Sequence, residues 1–227
     1  MIMKPITVLL AEDHTIVREG FRKMLELEAD IKVAGEARDG RQAVAMAKKL
    51  CPDVVLMDIA MPLLNGLEAT RQLLKQIPTA RVLMLSAHSD DAYVKNASDS
   101  GAVGFLLKQT SAHEVCQAIR EVHKGKTFFS PAIARRQDQH QLQSSDRSGR
   151  LNKKFAELTS REMEVLQLIA EGKANKETAL ELGIGIKTVE KHREHLMEKL
   201  NIHDTAGLTR YAISAGVIES SVQLTIV

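Results

Sequence analysis

The stretch Ile6-Thr7-Val8-Leu9-Leu10-Ala11-Glu12-Asp13 is a short, almost unbroken apolar run that stops at two acids. Three more runs share this build. Asp53-Val54-Val55-Leu56-Met57 ends in Asp58, Arg81-Val82-Leu83-Met84-Leu85 in Ser86, and Val103-Gly104-Phe105-Leu106-Leu107 in Lys108. A fifth, Ile31-Lys32-Val33-Ala34-Gly35, carries no reactive group at its end. Continuous apolar runs of this length, separated by helical patterns, read as parallel strands buried on both faces. Ligands of an open parallel α/β sheet sit outside the carboxyl ends of its strands. Three carboxylates, a hydroxyl and an amine, none close in sequence, are therefore expected at one crevice.

Helical patterns fill the gaps, over roughly 15–28, 40–50, 66–76, 90–100 and 111–123. Five βα units predict a doubly wound, five-stranded sheet of order 2-1-3-4-5 with helices on both faces. The composition changes after residue 124. Arg135 to Arg150 holds a single apolar residue, Leu142. Such a stretch buries too little to offset its ordering entropy and reads as a mobile linker, although Ala132-Ile133-Ala134 would also permit an extended last helix.

Past Leu158 the pattern is helical throughout. Thr159-Ser160-Arg161-Glu162 is a capping box, and Glu171-Gly172 closes the helix it opens. Asn175 is placed as the cap of a second helix that Gly183 ends. Ile186 to Leu200 is a third, with Val189, Leu196, Met197 and Leu200 inward, and Asp204 caps a fourth, through about Ala215, closed by Gly216. Fold class is thus α/β plus all-α: a domain over 4–124, a linker over 125–153 and a helical domain over 154–219.

Composition narrows the setting. The longest apolar stretches fall far short of a membrane span, and the N-terminus has no signal-peptide core, so a cytoplasmic protein without a membrane partner is expected. Cys51 and Cys116 form no CxxC pair and read as small buried core residues of a reducing compartment. The net charge of +2 comes wholly from residues after 124, where 15 Lys and Arg meet 13 Asp and Glu. That is a weak pointer to phosphates in the C-terminal part.

The acids at the strand ends suit Mg²⁺, which takes oxygen ligands and is held by one or two carboxylates plus phosphate oxygens. With Glu12, Asp13 and Asp58 available, one carboxylate is left to act as a phosphoryl acceptor. Asp58 is the candidate, because it ends the central strand. Lys108 can neutralise phosphoryl oxygens and Ser86 can hydrogen-bond one.

These stretches, Glu12-Asp13-His14, Asp58-Ile59-Ala60-Met61-Pro62, Ser86-Ala87 and Phe105-Leu106-Leu107-Lys108, resemble a response-regulator receiver domain. The resemblance implies a flavodoxin-like fold, Mg²⁺ held by Glu12, Asp13, Asp58 and the Ala60 carbonyl, and phosphorylation of Asp58 by a sensor histidine kinase or small phosphodonor. It also implies an aromatic, here Phe105, that turns inward on phosphorylation. Phe105 lacks the phenol frequent at that place. Thr15, Asn65 and Gln109 depart from the family's habit, but none removes a reactive group. His14 and His88 flank the crevice and read as exposed residues of a helix start and a loop.

In the C-terminal part, four short helices with a Gly-containing turn between the second and third fit a helix-turn-helix. Its third helix points Lys187, Thr188, Glu190, Lys191, Arg193, Glu194 and Glu198 outward, a mixed pattern that equally fits a salt-bridged solvated face. The series Leu158 to Leu166, Ile169 to Gly172, Asn175-Lys176-Glu177, Lys187 to His192 and Lys199-Leu200 is similar to the LuxR-type helix-turn-helix, so the whole resembles a NarL/FixJ-type response regulator. The resemblance implies double-stranded promoter DNA as partner and a homodimer on activation. Glu190, Lys191 and Glu194 are then expected at base edges. Lys187, Thr188 and Arg193 are expected at phosphates, and Asn175 and Lys176 near the backbone. Gly185 stands where a serine or threonine cap is usual. His192 and His195, one turn apart, do not make a zinc site by themselves.

Two other functions remain open on the sequence. One is an aspartyl-nucleophile phosphatase, which needs an acid two residues after the nucleophile, where this chain has Ala60. The other is a DNA-binding regulator with a vestigial receiver.

Overall fold

The computed structural model describes residues 4–89, 91–129 and 158–218. It divides into two units, one on each side of residues 130–157. The stretch 135–150 expected as a linker lies outside the described residues.

The first unit alternates strand and helix: β1 (Ile6–Ala11), α1 (Thr15–Glu26), β2 (Ile31–Ala37), α2 (Gly40–Leu50), β3 (Val54–Asp58), α3 (Gly66–Gln76), β4 (Val82–Ser86), α4 (Asp91–Asp99), β5 (Gly104–Leu107), α5 (Ala112–His123) and β6 (Phe128–Phe129). The sheet is parallel in the order β2-β1-β3-β4-β5-β6. The order 2-1-3-4-5 holds, with a sixth strand added at the edge. Phe128 and Phe129 pair with Gly104 and Phe105, inside the stretch expected to be linker.

The apolar runs are continuous because both sides of the sheet are covered. Leu9, Val55, Met57, Val82, Met84 and Phe105 feed one core with Ala43, Ala47, Leu67 and Leu73 from α2 and α3. Val8, Leu10, Leu56, Leu83, Leu85 and Leu106 feed the other, with Leu25 from α1 and Val115, Ile119 and Val122 from α5. Alternate residues thus point to opposite cores. Away from the reactive ends, Asp53 locks β1 to β3: its Oδ2 accepts from the Thr7 N–H at 2.8 Å and the Thr7 hydroxyl at 2.6 Å.

Cys116 is buried as expected, but Cys51 is exposed. Cys51 follows α2 as its C-cap with φ 45°, a left-handed turn that carries its side chain off the packed face.

The second unit holds α6 (Ser160–Ala170), α7 (Asn175–Leu182), α8 (Ile186–Leu200) and α9 (Thr205–Ser214). All residues of α6 from Glu162 to Ile169 are buried, which makes it the hub against which the other helices pack. The expected capping box is present: the Thr159 hydroxyl accepts from Glu162 N at 3.3 Å and Glu162 Oε2 accepts from Thr159 N at 2.8 Å. Asp204 caps α9 by accepting from Gly207 N at 2.7 Å. The second helix differs. Its N-cap is Ala174, and Asn175 is its first helical residue. Alanine has no side-chain acceptor, so only the reciprocal bond forms, with Glu177 accepting from Ala174 N at 2.8 Å.

Candidate phosphoryl site and DNA-reading face

The reactive residues of the first unit gather where its strands end. Each ladder runs one residue beyond its strand: Glu12 N donates to Ala37 O at 3.1 Å, Ile59 N to Leu85 O at 3.1 Å, and Lys108 N to Ser86 O at 2.8 Å. This fixes the loop starts side by side. The Lys108 ammonium lies 2.9 Å from Glu12 Oε2 and 3.0 Å from Asp58 Oδ1. Glu12, Asp58 and Ser86 are each buried to within 2 % of complete. The Ser86 hydroxyl accepts from His88 N at 3.0 Å. Phe105 is fully buried, in the core it shares with Met84, Val94 and Ala97. Ala60 sits in the loop after β3, two residues beyond Asp58.

Burying like charges together is costly, and it raises the affinity of a carboxylate for its proton. Asp58 is pushed up to about 7, first by burial and then by the Glu12 charge, which together outweigh the pull of Lys108. Burial works against the Lys108 ammonium, but the charges of Asp58 and Glu12 hold it above the usual lysine range. Asp58 Oδ2 is buried with no hydrogen-bond donor among the described residues. A buried, unpartnered carboxylate oxygen is expensive unless an outside group completes it. Glu12, Asp13, His14 and Asp58 bring ligand atoms within 4.8 Å of one another, a donor set able to hold a metal ion. Three of the four are hard oxygen donors, which suits Mg²⁺.

One participant, Arg18, was invisible in the sequence, and a second, His14, was read there only as an exposed helix start. Arg18, nearly fully buried on α1, donates from Nη1 to the carbonyls of Glu12 at 2.7 Å and Asp13 at 3.2 Å, and from Nε to Glu36 at 3.1 Å. It clamps the acid-bearing loop. His14 is indeed exposed over 59 % of its side chain, yet its Nδ1 lies 2.9 Å from Glu12 Oε1 and 3.1 Å from Asp13 Oδ1. The Glu12 hydrogen bond holds its imidazole above the usual histidine range, against some desolvation. Below the site, Asn65 caps α3 by accepting from Glu68 N at 2.9 Å, and Gly66 packs so closely that a Cβ there would collide with the Asp58 carbonyl oxygen.

In the second unit, Gly183 turns left-handed at φ 61° and Ile184 N donates to Ala179 O at 3.0 Å, setting the bend between α7 and α8. No side chain caps α8 at Gly185. Lys187, Thr188, Glu190, Lys191 and Glu194 are exposed on α8, as is Lys176 on α7. Arg193 is turned to other work. Its guanidinium donates to Asn175 Oδ1 at 3.4 Å and to the Thr205 hydroxyl at 2.5 Å, bracing α8 against the starts of α7 and α9. Ile186 and Leu180 are also exposed beside the turn, apolar residues the helical pattern had not singled out.

Comparison with known proteins agrees with both halves. Residues 8–120 match the response regulator receiver domain, and residues 156–212 match the bacterial regulatory proteins of the luxR family. The chain is 36% identical over 214 residues to the response regulator protein VraR of Staphylococcus aureus, covering 94% of this chain and 99% of VraR. A two-component response regulator of the LuxR family from Aurantimonas sp. SI85-9A1 superposes with TM-score 0.60 at 32% identity, over 62% of this chain and 100% of that one. The RcsB response regulator, solved in complex with DNA, gives TM-score 0.56 at 27% identity over 93% of this chain and 99% of that chain. The chain belongs to the response regulators, with a receiver domain and a LuxR-type DNA-binding domain. Its family is one of DNA-binding regulators rather than of enzymes in the ordinary sense.

Proposed function

We propose that Asp58 is the residue phosphorylated, with Mg²⁺ held by Glu12, Asp13, Asp58 and the Ala60 carbonyl, and that this modification switches promoter binding by the LuxR-type domain. The observation that carries the reading is the unpartnered, buried Oδ2 of Asp58 beside the Lys108 ammonium. The bound cation supplies positive charge against the phosphoryl oxygens. An Asp58 oxygen attacks phosphorus as the bond to the donor breaks, whether that donor is the phosphohistidine of a sensor kinase or a small acyl phosphate. Lys108 then exchanges part of its contact with Glu12 and Asp58 for a phosphoryl oxygen. Ser86 turns its hydroxyl proton toward another. Phe105, fully buried on β5 beside the strand that ends in Ser86, holds the inward position that accompanies this shift. The receiver's own chemistry is confined to this transfer and to slow loss of the phosphoryl group. Ala60 offers no acid-base group for turnover, which disfavours a phosphatase.

Phosphorylation shifts an existing equilibrium toward a dimer-competent receiver. In the LuxR-type domain, α8 enters the major groove. Lys191, Glu190 and Glu194 face base edges, the two acids accepting from cytosine amino groups, and Lys187, Thr188 and Lys176 meet the backbone. Arg193 and Asn175 act chiefly by holding α8 in place. A cytoplasmic location follows from this partner set.

The deciding experiment incubates the full chain with acetyl phosphate and Mg²⁺ and follows acyl-phosphate formation by intact mass. Wild type gains one phosphoryl group and Asp58→Asn gains none. Labelling of Asp58→Asn at the wild-type level refutes the assignment.

A further inference from the structure

We propose that His14 adds a nitrogen donor to the acidic pocket and so makes it a site for a borderline d-block cation, Zn²⁺ foremost, alongside Mg²⁺. The inference rests on reading Glu12, Asp13 and Asp58 as metal-holding. It concerns which metals the pocket accepts.

Mg²⁺ takes oxygen ligands, and an imidazole gives it nothing. Zn²⁺ and its neighbours bind imidazole and carboxylate together. His14 is placed for this. Its Nδ1 lies 2.9 Å from Glu12 Oε1 and 3.1 Å from Asp13 Oδ1. Ligands about 2.0–2.1 Å from a tetrahedral ion stand about 3.3 Å from one another, so these gaps need open only slightly. All four residues already bring ligand atoms within 4.8 Å. Asp58 adds the independent sign of a missing ligand, because its Oδ2 is buried and unpartnered. Lys108 engages Asp58 on Oδ1 and leaves that second oxygen to the pocket. The exposure of His14 lets its ring move from hydrogen bonding to coordination without disturbing a core.

The test uses the full chain loaded with Mn²⁺, whose free fraction is read by electron paramagnetic resonance while Zn²⁺ or Mg²⁺ is titrated in. Zinc held elsewhere, at His192 or His195 for instance, lowers free Zn²⁺ equally in wild type and variant and leaves the comparison between them unchanged. His14→Ala and His14→Asn are each expected to weaken Zn²⁺ as a competitor by at least about tenfold, the least expected for a lost ligand when outer-shell losses cost as much. Mg²⁺ competition should change by less than about twofold, since its ligands are oxygens. Unchanged Zn²⁺ competition, or an equal change for both metals, overturns the proposal. Asp58→Asn is the separate control: it should abolish Mn²⁺ binding, and retention at wild-type affinity would defeat the metal reading of the acids themselves.

Discussion

The Lys108 ammonium lies 3.0 Å from Asp58 Oδ1, although Lys108 follows β5 and Asp58 ends β3, strands that do not pair with each other. One cation thus serves two buried carboxylates, because Glu12 is also in reach at 2.9 Å. Removing it leaves the two acids without their shared cation, with only His14 still bonded to the Glu12 carboxylate among the described residues. Lys108→Ala should lower unfolding free energy by about 1–3 kcal/mol at pH 8 without Mg²⁺, less than for a fully enclosed pair because the acids can take up protons. Urea denaturation measures it. Phosphoryl transfer to Asp58 should fall as well.

The crowding at Asp58 gives a pH dependence with a definite sign. Its folded-state pKa of about 7 lies above the ordinary value of 3.8. The folded protein therefore binds this proton more tightly than the unfolded chain. Its stabilising effect is complete below the ordinary value and is lost as pH rises through about 7. Metal-free protein should lose stability over that window, and Asp58→Asn should flatten the curve. Mg²⁺ at a hundredfold excess over its dissociation constant should return about 2.7 kcal/mol to wild type at pH 8. A thermal melt series shows all three.

Arg18 acts on the site from beneath. Arg18→Lys keeps the charge but cannot reproduce a fork that bonds two carbonyls and a carboxylate. A loss of about 2–4 kcal/mol is expected for so buried a cation. Mn²⁺ affinity should drop in the same variant, since the loop carrying Glu12 and Asp13 loosens. Full stability together with wild-type Mn²⁺ affinity would remove the clamp from the account.

In the DNA-binding domain, Glu162 caps α6 and accepts from Lys199 at 2.7 Å. Burial works to raise its pKa, but the Lys199 and Thr159 hydrogen bonds prevail and hold it below the usual glutamate range. This stability is present above the ordinary value and is lost as pH falls through the lowered one. Glu162→Gln should therefore weaken the domain at neutral pH and remove part of its acid sensitivity, seen in the helical signal on acid titration. Thr159→Ala should cost about 1 kcal/mol through the same cap.

Lys187 and Lys191 are exposed on α8. If Lys187 meets a phosphate, Lys187→Ala weakens binding to all sequences alike and reduces the slope of log K against log salt by about 0.9. Lys191→Ala should instead change which operator is preferred. Fluorescence anisotropy on two operators over a salt series separates them.

The sheet was legible because strands buried on both faces leave no choice of residue type: Val8 through Ala11 can face either core and still be apolar. The gathering of reactive side chains was legible for a related reason, since Glu12, Asp58, Ser86 and Lys108 each stand at the first position beyond an apolar run. The sixth strand was not, because two residues, Phe128 and Phe129, are too few to show a period. Asn175 was misplaced by one position because the true cap, Ala174, has no polar atom to announce it; the usable signal was Glu177, three residues later. Cys51 looked like core on composition, and only the left-handed turn exposes it. Arg18 was passed over because an arginine early in an amphipathic helix is ordinary, and His14 was read only as an exposed helix start, because the partners of both are set by how the loop folds back. Arg193 lies on the outward stripe by spacing, but its length also lets it reach sideways to Asn175 and Thr205, contacts that spacing does not announce.

Gly66 holds no reactive atom, yet there is no room for a methyl group between it and the backbone of Asp58. Any replacement must push the end of β3 aside. A genetic screen for signalling-dead alleles should therefore recover Gly66 as readily as the aspartate itself, and such alleles would be silenced by displacement, with every reactive group still in the chain.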